Sequence, residues 1–262
     1  MQNRPFFSIV TISYNSEETI KRTIQSVADQ NFKDYEYLII DGKSTDNTLN
    51  IAREFQDQID NMHILSEKDT GIYNAMNKGI KKSVGKIVII LNSDDWLEKD
   101  CLEKLYQLYE DDNTIITGAL NFWTDNTHYV KYHSTIKRFN KLQKQHLSPI
   151  RHPATFVPLN VYKRIGVFDE NFKIIGDTDF IYRCIENGVK FKIVNEVFTN
   201  MADGGISNDI SSLFKRVKER KYFLSKRKFS KIQINIDCFS FFIRGIIKSI
   251  TPFWVIKLKN SK

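Results

Sequence analysis

The residues best placed for chemistry sit where short apolar runs end. Asp94 and Asp95 follow KIVIIL (86–91), a nearly continuous hydrophobic run, with Asn92 and Ser93 between. Adjacent carboxylates there suit a hard divalent cation, Mn or Mg. Such a cation takes one or two protein carboxylates and completes its shell with water and phosphate oxygens. The pair also reads as a polar turn capping a helix that begins near Trp96, since Asp is common at helix N-caps. Asp41 opens a Gly-containing turn, DGKSTD (41–46), behind YEYLII (35–40). A carboxylate at that place can accept hydrogen bonds from a ribose hydroxyl or a base N–H. Tyr14-Asn15 and Glu67-Lys68-Asp69 close two further runs. Four polar run ends, three of them carrying carboxylates, would make one acidic cleft if the runs lie side by side.

The periodicities predict that they do. FSIVTIS (7–13) reads as a buried strand. NSEE (15–18) resembles a capping box, and Ile20, Ile24 and Val27 at i, i+4, i+7 predict an amphipathic helix. Residues 35–40 form a second strand, followed by a helix carrying Leu49, Ala52 and Phe55. Residues 62–65 form a third strand, and 71–84 a helix with Ile72, Met76 and Ile80 on one face. The fourth strand, 86–91, has the continuous hydrophobicity of a strand covered on both faces in a parallel sheet. This alternation predicts a doubly wound α/β fold, Rossmann-like, with a mostly parallel central sheet and helices on both faces. In such folds ligands lie beyond the carboxyl ends of the strands. Downstream, the pattern gives a helix over 97–109, a strand over 114–119, and loops with short strands over 121–150. A strand over 151–157, a helix entered through GDTD (176–179) and a last strand over 191–197 complete it.

Composition bounds the rest. A chain of 262 residues, 41% hydrophobic and 27% charged, can bury a real core. Cys101, Cys184 and Cys238 lack the spacing of a disulfide framework or a zinc site, which fits a reducing, cytoplasmic setting. No run resembles a targeting segment or an uninterrupted membrane span. Residues 1–125 carry 13 basic and 21 acidic groups, whereas 126–262 carry 26 and 10. The second half therefore has an anionic partner or a solvated basic face.

Neither G-x-G-x-x-G nor G-x-x-x-x-G-K-[ST] occurs, which disfavours dinucleotide and P-loop binding. Five motifs instead resemble, in order and spacing, a family 2 glycosyltransferase of the GT-A fold, in the non-processive bacterial surface-polysaccharide group. They are SIVTISYNSEETIKRTIQSV (8–27), LIIDGKSTDNT (38–48), SEKDTGIYNAMNKGI (66–80), GKIVIILNSDD (85–95) and FDENFKIIGDTDF (168–180). The resemblance covers about residues 6–205. It implies an inverting transfer of sugar from a nucleotide-sugar, usually UDP-linked, with a divalent metal. It places Thr11 and Tyr14 in the nucleotide pocket and Asp41 on the base or ribose. Asp69 falls in the third strand-end loop, with Asn74 and Lys78 in a donor-side motif on the next helix. Asn92-Ser93-Asp94 takes the D-x-D position, with Asn first, so that Asp94 is the main metal ligand. Asp177 matches the catalytic base of the E-D motif, with Gly176 in place of the first acid. Asp179 competes for that role, and both also read as an ordinary acidic first turn. His152 is a candidate acceptor contact or a structural hydrogen-bonder, and Gly204-Gly205-Ile206-Ser207 resembles a loop over the active site.

The resemblance thus implies a catalytic domain over 1–207, with a donor half (1–120) and an acceptor half carrying the base (121–207). Residues 208–262 form a basic, apolar helical extension. Its KRVKERKYFLSKRKFSK (215–231) and CFSFFIRGIIKSITPFWVIKLK (238–259) suit either contact with a membrane surface or packing on the catalytic domain. The expected acceptor is a saccharide linked to a lipid diphosphate. The expected place is cytoplasmic, peripheral on the inner face of the membrane, in polysaccharide, O-antigen or capsule synthesis. The rivals are a sugar-nucleotide nucleotidyltransferase, whose Gly-rich first loop is absent, and a non-catalytic nucleic-acid- or membrane-binding protein. Nucleic acid is not expected, because the acidic cleft would repel phosphate.

Overall fold

A computed structural model describes residues 4–125, 127–203 and 212–250, the side chains as far as 247. Four parallel strands open the chain: β1 (Phe7–Ser13), β2 (Tyr35–Asp41), β3 (Met62–Ser66) and β4 (Ile87–Asn92). They lie in the order β3-β2-β1-β4. Helices α1 (Ile20–Ala28), α2 (Thr48–Arg53) and α3 (Ile72–Lys82) connect them. The sheet continues through β8 (Thr155–Pro158), β6 (Thr114–Trp123), β9 (Lys190–Ala202) and β5 (Trp96–Leu97), with β7 (Tyr129–Tyr132) paired to β6. β8 runs antiparallel to β4 and β6, whereas β6 and β9 are parallel.

Alternation along the strands divides the core into two layers. Val10 and Ile12 of β1, with Val88 and Ile90 of β4, face α3. On that face also lie α5 (Ile136–Lys144), α6 (Leu159–Ile165) and α7 (Gly176–Glu186). Phe7, Ile9, Ile87, Ile89 and Leu91 face α1, α2 and α4 (Cys101–Leu108). A nine-residue helix such as α1 is marginal alone. Burial of Ile20, Ile24 and Val27, each fully covered, supplies about 1.5–3 kcal/mol apiece and holds it. The sequence reading of this half as doubly wound α/β stands.

Three local expectations change. The NSEE segment does not cap a helix: α1 starts at Ile20, and its N-cap Thr19 makes no side-chain cap bond. Asn15 Oδ1 accepts from the Thr45 N–H at 2.9 Å, and Glu17 accepts from Asn47 N–H at 2.8 Å. These residues tie the first strand-end loop to the second. Past Asp95 comes β5, not a helix, and it pairs antiparallel with β9 at Trp96↔Asn200. The expected helix over 97–109 begins only at Cys101, so the reading of Asp94-Asp95 as its cap falls away. Residues 152–154 form a 3-10 turn ahead of β8, which shortens the expected strand there.

Two helices follow the sheet, α8 (Leu213–Ser225) and α9 (Lys231–Ile250). Phe223, Leu224, Ile234 and Cys238 enter the same core as α3 and α7. Arg220, buried on α8, pairs with Asp237 of α9 and donates to the His146 carbonyl at 2.9 Å. This part of the extension therefore packs on the sheet domain. The loop at 204–207 and the tail beyond 250 lie outside the described residues.

Candidate active site

The parallel register sets Ser13 beside Asp41, Asp41 beside Ser66, and Ile12 beside Asn92. The carboxyl ends of four strands thus form one edge, as the sequence implied. Asp41 is 0% exposed and saturated. Its carboxylate accepts from Ser44 Oγ (2.5 Å), Ser66 Oγ (2.7 Å), Ser13 Oγ (3.3 Å) and the N–H groups of Lys43 (3.0 Å) and Ser44 (2.9 Å). A carboxylate with five donors has no lone pair to spare for a nucleoside. In this arrangement Asp41 shapes the second strand-end loop from beneath.

Thr11 lies deeper than the edge. It is 0% exposed, two residues short of the strand end, and its hydroxyl bonds Tyr37 Oη at 2.9 Å inside the sheet. Ser13, the last residue of β1, sends its hydroxyl to Asp41 at the edge, and sequence reading passed it over. Tyr14, the next residue, is 62% exposed. It lies with Asp69 against Gly42, where a Cβ would come within 2.5 Å of Asp69 Oδ2 and 3.3 Å of the Tyr14 ring. Asp69 Oδ1 accepts from Gly71 N–H at 3.0 Å. Three strand-end loops therefore meet at Gly42, with an exposed aromatic face and a carboxylate beside it.

Asn74 and Lys78 on α3 are engaged within the protein. Asn74 donates to Glu170 at 2.9 Å, and Lys78 bonds Glu67 (3.0 Å) and the Lys68 carbonyl (2.8 Å). Both hold neighbouring loops, as does Asn77, which bonds Glu170 and both backbone groups of Phe168.

The two acids behind β4 have separate fates. Asp95 is buried, accepting from Asn92 at 2.9 Å and from Ala202 N–H at 3.3 Å. Burial raises its carboxyl well above the usual range. Asp94 is half-buried, and apart from its own backbone amide its side chain has no hydrogen-bond or ion-pair partner among the described residues. Burial raises its carboxyl too, against the pull of Arg22. Arg22 lies 3.7 Å over the Trp96 ring and donates to the Asp94 carbonyl at 3.0 Å. Asn92 Oδ1 is buried without a partner, and Ser93 Oγ bonds Ser16 Oγ at 2.8 Å. No cluster of three or more His, Cys, Asp or Glu exists among the described residues. A carboxylate at 94 and an amide oxygen two residues before it, neither bonded to another side chain among the described residues, still fit a hard cation that draws its other ligands from phosphate and water.

On the second face, the start of α7 separates the two candidate bases. Asp179 is buried and committed to Arg183 (2.9 Å) and Arg227 (3.2 Å). Asp177 Oδ1 accepts from Thr178 N–H at 2.7 Å, while Oδ2 takes no hydrogen bond among the described residues. Burial raises the Asp177 carboxyl, opposed by His152, and burial lowers the His152 imidazole, opposed by Asp177. His152 also packs edge-on to Phe168. Tyr73 Oη donates to the Ile174 carbonyl (2.8 Å) and accepts from Asp177 N–H (3.2 Å). Its ring explains Gly176, where a Cβ would lie 2.7 Å from the ring carbons. An acid at that position has no room. Sequence reading also missed Trp123, whose ring lies near Trp96 and Tyr129; no spacing in the sequence signals that cluster.

Residues 8–164 match the model of the family described as Glycosyl transferase family 2. A PGL/p-HBAD biosynthesis glycosyltransferase of Mycobacterium bovis (strain BCG / Pasteur 1173P2) is 27% identical over 212 residues, 79% of this chain and 80% of that protein. Among solved structures, S. aureus TarS 1-349 in complex with UDP-GlcNAc superposes with a TM-score of 0.68 at 18% identity. That match covers 90% of this chain and 71% of TarS 1-349. The chain spans only 42% of the longer TarS structure. Mannosyltransferase PcManGT from Pyrobaculum calidifontis, in complex with GDP-Man and Mn2+, superposes with a TM-score of 0.63 at 16% identity, covering 86% of this chain and 64% of that one. At such identities the structural likenesses show the fold alone, and that fold is the GT-A arrangement.

Proposed function

This chain belongs to glycosyl transferase family 2 and is a glycosyltransferase, and from that premise we propose an inverting transfer from a UDP-sugar to a lipid-linked saccharide. The observation that carries the proposal is the pair of free carboxylates. Among the described residues, the Asp94 side chain on the strand-end edge and Asp177 Oδ2 at the start of α7 meet no partner side chain, whereas their neighbours Asp95 and Asp179 are both consumed. The solved relatives in complex with UDP-GlcNAc, and with GDP-Man and Mn2+, support a nucleotide-sugar donor and a divalent cation. Tyr14 and Asp69 face the nucleoside, with Ser13 and Asp41 shaping the floor. Residues 1–207 are the catalytic unit in this reading, with the donor bound over 1–120 and the base in 121–207.

In the reaction the acceptor hydroxyl oxygen bonds the anomeric carbon as the bond from that carbon to the diphosphate oxygen breaks. The electron pair leaves with the nucleoside diphosphate, and the hydroxyl proton passes to Asp177 Oδ2. A base must lie within hydrogen-bond reach of the proton it takes, and Asp177 is the acid of its pair with an oxygen to offer. Asp94 and Asn92 would hold the cation, which supplies charge neutralisation at the leaving diphosphate.

A membrane surface as partner is supported by α9. Ile232, Ile236, Phe239, Ile243, Ile246 and Ile247 are all exposed and fall on one side of the helix, opposite Ile234 and Cys238 in the core. Exposed Phe214 of α8 packs on Phe242, and Lys218 and Lys221 share its helix face. Apolar residues bordered by exposed cations suit an anionic bilayer surface. No described helix is long and apolar enough to cross a membrane. The proposed place of action is the inner face of the cytoplasmic membrane, in assembly of a surface polysaccharide.

The test is nucleotide release from UDP-, GDP-, CMP- and dTDP-sugars, each with and without lipid-diphosphate-linked saccharides. Release of UDP that rises with acceptor supports the reading. Acceptor-dependent release of a different nucleotide, or of none, contradicts it.

A further inference from the structure

The turn that leads into α7 is held from outside the sheet domain. Glu219, on α8, aims its carboxylate at three successive backbone amides. Oε1 accepts from Lys173 N–H at 2.8 Å, and Oε2 accepts from Ile174 and Ile175 N–H at 3.0 Å each. Those amides immediately precede Gly176, the first residue of α7, and Asp177 is the second. The first amides of a helix, and those leading into it, have no partner within the helix. Here a distant carboxylate supplies one, and α7 has no side-chain cap of its own at Ile175. Tyr73 locks the other side of the same turn, through Ile174 O and Asp177 N–H.

We propose that Glu219 is a positioning residue for Asp177, fixing the turn at 173–175 and placing a negative charge at the helix terminus beside the base. This rests on the reading of Asp177 as the base. The physical consequence is twofold. The turn fixes where Asp177 Oδ2 points, and misplacement of a reacting group by about 1 Å costs on the order of 10²-fold in rate. The amides at a helix N-terminus also carry partial positive charge, which stabilises an adjacent carboxylate and weakens it as a base. Glu219 offsets that charge and keeps Asp177 basic. It does so in a chain whose Gly176 leaves no space for a second acid in the motif itself. The other groups facing Asp177 are Tyr73 from α3 and His152 and Arg151 from the segment before β8. Glu219 has Tyr73 and the Lys173 backbone against it. None of these charges changes in the variants below.

The direct test is carbon-detected NMR titration of the full chain with labelled Asp side chains, the Asp177 signal being assigned by its loss in Asp177→Asn. Glu219→Gln removes the charge and keeps one acceptor oxygen, enough for the Ile174 and Ile175 N–H groups that share Oε2, and Glu219→Ala removes charge and acceptors alike. In Glu219→Gln the Asp177 midpoint moves down by roughly 0.2–0.7 pH, while hydrogen exchange at 174 and 175 stays slow. In Glu219→Ala exchange at those amides also accelerates. An unchanged Asp177 midpoint in Glu219→Gln, or unchanged exchange in Glu219→Ala, overturns the proposal. UDP release by Asp177→Asn is measured beside these. Full turnover there would sink the base reading while leaving the Glu219–Asp177 coupling measured on its own.

Discussion

At the scale of single residues, the site is defined by which carboxylates are left unpaired. Asp95 and Asp179 are buried and bonded, whereas Asp94 and one oxygen of Asp177 meet no other side chain among the described residues. A buried charge without partners is costly, so such groups persist where a ligand or a proton completes them. Asp177→Asn keeps the size of the side chain and removes the proton acceptor. Its kcat falls by about 10²–10⁴-fold, while the rise in melting temperature given by UDP is unchanged. Loss of nucleotide binding in the same variant would instead make Asp177 a donor-site residue. Because burial raises its carboxyl, the acidic limb of the wild-type pH–kcat profile lies above the ordinary carboxylate range near about 4. Activity is present above that limb, where Asp177 is ionised, and fades as pH falls through it.

At the scale of elements, the parallel half was legible in the sequence because its strands are short, β-branched and followed by polar turns. Strands 7–13 and 35–40 and the helices at 72–82 and 176–186 needed only periodicity. The strand-end carboxylates could be placed on one edge for the same reason. The roles of individual residues on that edge were not legible. One-dimensional spacing does not tell that Asp41 meets three serine hydroxyls, or that Thr11 stops two residues short of the cleft. Nor did it show that α8 braces α7, because the contacts span more than 40 residues. Arg227, in the turn just past α8, bonds both Asp179 and Glu186 of α7. Arg227→Ala leaves Asp179 with Arg183 alone and lowers stability by about 1.5–3 kcal/mol, read from denaturant unfolding with an unchanged slope. A loss within experimental error would mean that α8 is an appendage and not a brace.

For the whole molecule, the charge asymmetry and the α9 stripe point the same way. The acidic first half carries the strand-end edge, and the basic second half contributes two described helices with one side in the core and another apolar side exposed. Vesicles of phosphatidylcholine with phosphatidylglycerol should carry the protein in flotation, and pure phosphatidylcholine should carry much less. Substituting Ile236→Glu and Phe239→Glu together weakens vesicle binding by roughly tenfold or more. Concentration-dependent dimerisation that the same pair abolishes, without vesicle binding, would assign the stripe to a second copy of the chain. Vesicle binding that appears only after removal of residues 251–262 would assign it to the chain's own tail.

The central claim is that a cation on Asp94 joins this edge to a nucleoside diphosphate. Calorimetric titration of UDP into the wild type and Asp94→Ala, with Mn2+ and with chelator, tests it most directly. The account predicts binding by the wild type with Mn2+, and its loss both with chelator and in Asp94→Ala at unchanged folding. UDP binding that is equal in all four conditions, or absent from all of them, would contradict it.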